Sequence, residues 1–210
     1  MTISPSEVLL AGQVKLWRRY FSVEKSLEYF DQLKQISTLK QGYVKIYGKT
    51  YPTPRLESFH AYETVSYTYS GQQMQSAPLA DLLAILLRET AVITEKQFNC
   101  ALVNFYRDGN DSNGWHADDE KELGKNPIIA SLSFGATRKF KLRNNATGTV
   151  IDLQLEDGDL LLMDDKMQVE WKHCIPKEPR ILDSRINITF RNILPIQNKL
   201  SEGGKVNDNK

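Results

Sequence analysis

Charge of one sign is what this chain most plainly lacks. Lys and Arg number 27 against 26 Asp and Glu in 210 residues, a formal net charge of +1. Composition therefore imposes no polyanionic partner, and any basic surface has to be local. Long apolar runs are missing as well. No stretch approaches the roughly 20 apolar residues needed to cross a bilayer. The opening MTISPSEVLLAGQVKLW has neither the basic n-region nor the apolar core of a signal peptide. The expectation is a soluble monomer without a membrane, cytoplasmic, or nuclear in a eukaryote. Cysteine is limited to Cys100 and Cys174, in no CxxC or zinc-ligand spacing. That excludes a disulfide framework and reads as thiols in a reducing compartment. There is no internal repeat and no low-complexity block.

What is present is enough for a core. Hydrophobic residues make up 40% of the chain, and the length suits one domain. Residues 1 to 12 read as flexible, 13–197 as the single domain, and the polar, Gly-containing 198–210 as a disordered tail. Ser22 offers an N-cap, with Glu24 in the first turn of a helix that would bury Leu27, Phe30 and Leu33. APLADLLAILLRET, 77–90, reads as a second helix with Pro78 near its start and an apolar face around Leu82, Leu83 and Leu86. From about 97 to 195 short strands follow one another, separated by turn material such as NNATG and EDGD. Helices ahead of many antiparallel-looking strands predict an α+β chain with a jelly-roll core.

The chain has three histidines. His116 and Asp118, in WHADDE, stand two apart, which on a strand puts imidazole and carboxylate on one side. His173 follows about 55 residues later, in EWKHCIP. Two His and one carboxylate on one side of an ion leave its other positions open, as in non-haem Fe(II) oxygenases. HxD alone is weak evidence and fits a polar loop better. About a dozen residues beyond His173 comes RINITFR, 185–191, in which Ile186, Ile188 and Phe190 alternate with Arg185, Asn187, Thr189 and Arg191. The strand rises about 3.3 Å per residue, so the two Arg backbones stand roughly 20 Å apart. Extended side chains would leave a gap of about 6–8 Å, enough for a five-carbon dicarboxylate held by a planar fork at each end. An exposed edge strand with solvated arginines is the alternative.

HADDE, His173 and RINITFR together resemble the AlkB family of Fe(II)/2-oxoglutarate dioxygenases, whose pattern is HxD…H followed by RxNxTFR. NFYRDG, SFGATRKFKLR and LEDGDLLLMD resemble it too, over about residues 10 to 195. The resemblance implies a double-stranded β-helix core, with N-terminal helices and a nucleotide-recognition lid at about 40–75. It implies oxidative demethylation of bases of the 1-methyladenine and 3-methylcytosine type, with Fe(II), 2-oxoglutarate and O2 consumed or required and formaldehyde, succinate and CO2 released. His116, Asp118 and His173 become the iron ligands. Arg185 becomes the partner of the distal carboxylate of 2-oxoglutarate, and Arg191 that of the carboxylate nearer the metal. Asn104, Tyr106, Asn187 and Thr189 line the same pocket.

The closest likeness within the family is to homologues acting on duplex DNA with a flipped base. VKIYGK resembles their hydrophobic finger, with Ile46, Tyr47 and Gly48 at the tip, Tyr47 standing where Phe is common. YTYSG resembles their base-pocket strand, so Tyr67 and Tyr69 would sandwich the base with His116. Asp119 and Glu120 would face its exocyclic groups, and Arg55 would be a basic contact, meeting phosphates beside Lys45 and Lys49. RNA or single strands could be the substrate of the same chemistry, and a non-catalytic nucleic-acid-binding module is the reading from a different class. Trp115 and Trp171 read as packing, and His60 as a surface or pocket-rim residue.

Overall fold

RINITFR is buried at every position. It is a central strand, not an edge, and the computed structural model shows why both of its faces are needed. The structure describes residues 3–36, 38–46, 48–63, 66–69, 72–79, 81–164 and 166–194. Tyr47, Asp165 and the tail lie outside the described residues, as do the side chains of Lys45, Ile46, Tyr67 and Tyr69.

In chain order the elements are β1 (Glu7–Leu9), β2 (Val14–Trp17), α1 (Val23–Lys34), β3 (Lys40–Ile46), β4 (Lys49–Ala61), β5 (Ser66–Tyr69), β6 (Gln72–Gln75) and β7 (Ala77–Pro78). There follow α2 (Asp81–Thr94), β8 (Cys100–Tyr106), β9 (Asn113–His116), β10 (Ile129–Gly135), β11 (Arg138–Asn144), β12 (Val150–Leu155), β13 (Leu160–Met163), α3 (Met167–Glu170), β14 (Trp171–Ile175) and β15 (Arg185–Arg191). The major sheet runs β1-β2-β13-β10-β15-β8-β4-β3, with β7 beside β4. The minor sheet runs β12-β11-β14-β9. The two form the jelly roll, and β5 and β6 make a separate hairpin.

Strand alternation explains the layering. Ile186, Ile188 and Phe190 join Phe134, Leu132, Leu83 and Leu86 in an apolar layer beneath α1 and α2. Full burial of each such side chain contributes about 1.5–3 kcal/mol. The intervening residues of β15 face the minor sheet. A second apolar layer, including Leu102, Phe140, Leu142 and Met163, fills the space between the sheets beside them.

The Ser22 hydroxyl caps α1, accepting from the Lys25 backbone N–H at 3.3 Å. The buried face of α1 is Ser26, Tyr29 and Leu33, and Leu27 is 57% exposed. The helix is therefore rotated from the expected register, because Tyr29 packs edge-on against Phe21 and Phe134. Pro78 pairs in β7 instead of opening α2, which begins three residues later. Residues 3–12 are not loose: β1 pairs with β2, and the Trp17 indole donates to the Ile3 carbonyl at 2.8 Å.

The segment expected as a lid begins as two strands, β3 and β4, of the major sheet. β3 and β4 form a hairpin with Gly48 at its tip, at φ +79°, a conformation cheap only for glycine. Pro52 and Pro54 have no N–H to give the ladder, and the pairing shifts between Gln41 and Tyr43. At the shift the Gln41 side-chain amide donates to two β4 carbonyls, those of Thr53 and Arg55, at 2.5 and 3.3 Å. Beyond this bulge β4 pairs with β8 from Leu56 onward.

Candidate metal centre and co-substrate pocket

The inner face of the major sheet assembles one side of the site. Antiparallel register sets Arg185 opposite Tyr106 and Asn187 opposite Asn104. On the other flank Ser133 stands opposite Asn187, and Ser131 opposite Thr189. Period-2 alternation then puts all of these on one face with Arg191. The minor sheet supplies the other side. His116 on β9 is directly across from His173 on β14, so the two imidazoles are neighbours by register. Their ring centroids are 4.2 Å apart.

Each ligand candidate is held from behind. His116 Nδ1 donates to the Gly114 carbonyl at 2.8 Å, and its Nε2 lies 3.7 Å from Asp118 Oδ1. The His173 ring stacks on Phe140, with centroids 5.2 Å apart. The backbone N–H of Asp118 donates to Gln168 Oε1 at 3.0 Å, and Asp118 Oδ2 accepts from Arg191 Nη2 at 2.8 Å. One ligand atom from each of His116, Asp118 and His173 lies within 4.8 Å of the other two. Arg191 thus braces the aspartate that the spacing made a ligand, besides standing in the pocket wall.

The electrostatics suit a cation. Burial pushes the His116 imidazole down, and burial followed by the neighbouring His116 pushes His173 to about 3. Burial by itself would raise Asp118, but Arg191, His173 and His116 outweigh it and hold the carboxyl at about 2. Two neutral imidazoles and one carboxylate are the protonation states a metal requires. Asp118 Oδ1 is buried with no hydrogen-bond partner among the described residues, and that orphaned oxygen is the observation that fits a bound ion. The donor set matches ferrous iron with open positions.

Arg185 makes the same case for an anion. It is 1% exposed, and burial lowers its guanidinium to about 10. Nη2 donates to Ser133 Oγ at 3.0 Å, and Nε and Nη1 have no hydrogen-bond partner among the described residues. A buried guanidinium with unmet donors is expensive unless a ligand meets them. A carboxylate accepts two such donors in one plane. Asn187 is tied to Ser131 Oγ and the Leu132 carbonyl at 2.7 and 2.9 Å, and Thr189 to the Leu102 carbonyl at 3.3 Å. Asn104, Tyr106, Asn187, Thr189, Arg185 and Arg191 all line the cavity that also holds the triad.

The residues expected to meet substrate are less concentrated. Asp119 is exposed and Glu120 half-buried, and neither lines that cavity. Ile46 ends β3 and Gly48 is exposed at the hairpin tip. Arg55 requires a correction. It is 3% exposed, paired with Glu57 at 2.6 Å, and bonded to Asn104 Oδ1 at 2.8 Å. Its place on the inner face of β4 turns it away from any phosphate backbone. His60 is likewise no surface residue, although it does line a pocket beside Ile36, Pro78 and Leu82. It is buried, with Ser58 Oγ 2.7 Å from Nε2, and its Nδ1 donates to the Pro78 carbonyl at 2.9 Å. Trp171 is core, whereas Trp115 is 37% exposed beneath the Arg143 guanidinium. Gln168, Ser131, Ser133 and Glu57 were missed. The alternation of Ser131 and Ser133 in an apolar strand was a usable signal; Gln168 had none.

The model of the 2OG-Fe(II) oxygenase superfamily matches residues 13–191. This chain belongs to that superfamily, in its AlkB branch. Among its AlkB relatives is the mouse alpha-ketoglutarate-dependent dioxygenase alkB homolog 3, 42% identical over 205 residues, covering 93% of this chain and 70% of the relative. The mouse DNA oxidative demethylase ALKBH2 is 34% identical over 201 residues, covering 92% and 81%. The solved structure of OsALKBH1 shares the fold with a TM-score of 0.60 at 17% identity, over 88% of this chain and all of that one. A 2OG-Fe(II) oxygenase uses Fe(II), 2-oxoglutarate and O2, and the His116–Asp118–His173 cluster and Arg185 fit the first two.

Proposed function

We propose that this AlkB-family dioxygenase removes methyl groups from DNA bases of the 1-methyladenine and 3-methylcytosine type. One observation carries the reading. An orphaned carboxylate oxygen between two neutral imidazoles lies in the same cavity as a buried guanidinium with two unmet donors. Similarity to the proteins named DNA oxidative demethylase supports the substrate.

The chain's own residues have separable tasks. His116, Asp118 and His173 would hold Fe(II), and Arg191 holds the other carboxylate oxygen of Asp118, Oδ2. Arg185, braced by Ser133 and Tyr106, would take the distal carboxylate of 2-oxoglutarate; Asn104, Tyr106, Asn187 and Thr189 would wall the rest. With both bound, one oxygen atom of O2 would go to 2-oxoglutarate, which leaves as succinate and CO2, and the other would hydroxylate the methyl carbon, which then leaves the base as formaldehyde. The methyl sits on a pairing edge, so the base must leave the stack at a cost of a few kcal/mol. The β3–β4 hairpin would fill the gap, and Tyr67 and Tyr69, on the β5–β6 hairpin, would stack on the flipped base. Lys139, Lys141 and Arg143 alternate along β11, and Lys172 stands opposite Arg143. This basic row on the outer side of the minor sheet suits phosphates in a chain of near-zero net charge.

We take the substrate as duplex DNA and the protein as a monomer, cytoplasmic or nuclear. None of the described helices is long and apolar enough to cross a membrane. The test is formaldehyde release from methylated duplex, single-stranded DNA and RNA, with iron and 2-oxoglutarate added or withheld. Release that needs neither would end the reading. Equal rates on all three polymers would end the duplex assignment alone.

A further inference from the structure

We propose that Glu57 is a positioning residue for 2-oxoglutarate, acting through Arg55 to fix the side-chain amide of Asn104. This rests on the co-substrate pocket described above. Glu57 on β4 is directly across the sheet from Asn104 on β8, and Arg55, two residues earlier, shares their face. The Glu57 carboxylate lies 2.6 Å from Arg55 Nη2, and Arg55 Nε donates to Asn104 Oδ1 at 2.8 Å. Glu57, Arg55 and Asn104 are 4%, 3% and 3% exposed, so solvent does little to weaken the chain of contacts. Asn104 lines the triad cavity; Arg55 and Glu57 do not.

The chemistry follows from the amide's two ends. An asparagine offers an acceptor oxygen and two N–H donors, and it can present either by a half-turn. Arg55 has only donors, so it claims the oxygen. The NH2 group is left as the end available to an anion. Without Arg55 in place, the amide could show its oxygen to a carboxylate and repel it. Glu57 decides where Arg55 points. Gly42 makes room for this: a Cβ there would meet the Glu57 carboxylate. The acid lies on the strand that also carries the lid hairpin, where β4 enters the major sheet.

The experiment is a calorimetric titration of the full chain, loaded with Mn(II) in place of iron, with 2-oxoglutarate. Glu57→Ala should weaken 2-oxoglutarate about tenfold, the worth of one charge-assisted contact, and leave Mn(II) affinity as in the wild type. Glu57→Gln keeps an acceptor for Arg55 and should lose only about threefold. The double variant Glu57→Ala/Asn104→Ala should bind no more weakly than Asn104→Ala, because the two act in series. Unchanged 2-oxoglutarate affinity in the Glu57 variants, or additive losses in the double variant, would overturn the proposal. Wild-type protein that binds no 2-oxoglutarate would instead bring down the functional reading, and this inference with it.

Discussion

Arg138 and Arg185 are each 1% exposed, and each has its guanidinium near the Tyr106 ring, at 5.7 and 5.5 Å from the centroid. They end differently. Arg138 donates to the carbonyls of Asp108, Asp111 and Pro176 and to the Glu178 carboxylate, at 2.6 to 3.3 Å. It locks together the two loops that follow β8 and β14. Among the described residues Arg185 has one side-chain acceptor, Ser133, and two nitrogens without a hydrogen-bond partner. The first guanidinium is completed by the fold and the second is left for a ligand. The contrast separates stability from function at two otherwise similar positions.

The comparison breaks most sharply at the metal. His173→Ala should reduce 2-oxoglutarate-dependent formaldehyde release below detection, a loss of at least about a thousandfold, while circular dichroism shows the fold kept. Release near the wild-type rate would remove the triad assignment. Next is Arg138→Ala, which takes one buried donor from Glu178 and from three carbonyls, although Glu178 keeps the Lys139 N–H and the Asp108 carbonyl keeps the Asp111 N–H. It should cost about 3–5 kcal/mol of unfolding free energy in a denaturant titration; a loss under 1 would mean the loops hold without it. Arg185→Ala should invert that pattern, weakening 2-oxoglutarate about a hundredfold with apo stability nearly unchanged. Relative to Mn(II) alone, saturating 2-oxoglutarate should then raise the wild-type melting temperature, and that of Arg185→Ala hardly at all. The smallest effect is at the basic row. Lys172→Ala should lower the slope of log affinity against log salt for duplex DNA by about 1, with turnover of a free methylated nucleoside unaltered. An unchanged slope would take the phosphates off this face.

Several of these residues could be named before any coordinates, and others not. Paired His and Asp at a spacing of two, and a strand with an Arg at each end of its polar row, are local patterns that survive folding because strand alternation is local. Arg55 shows the limit. As sequence it is a basic residue in a Pro-rich stretch, indistinguishable from a phosphate contact. It is buried because β4 pairs with β8 and brings Asn104 to it. Leu27 misled for a similar reason: several apolar residues of α1 compete for one face, and aromatic packing with Phe21 and Phe134 chose Tyr29.

By itself the sequence determined the strand-rich class, the identity of the three metal-ligand candidates and the amphipathic character of 185–191, since each depends on residue type and short spacing. Tertiary structure decided which strands lie at the centre, which arginine is satisfied and which is open, and that Glu57, Arg55 and Gln168 stand behind the site. Those outcomes depend on contacts between segments far apart in the chain, where register across a sheet, not order along it, sets the neighbours.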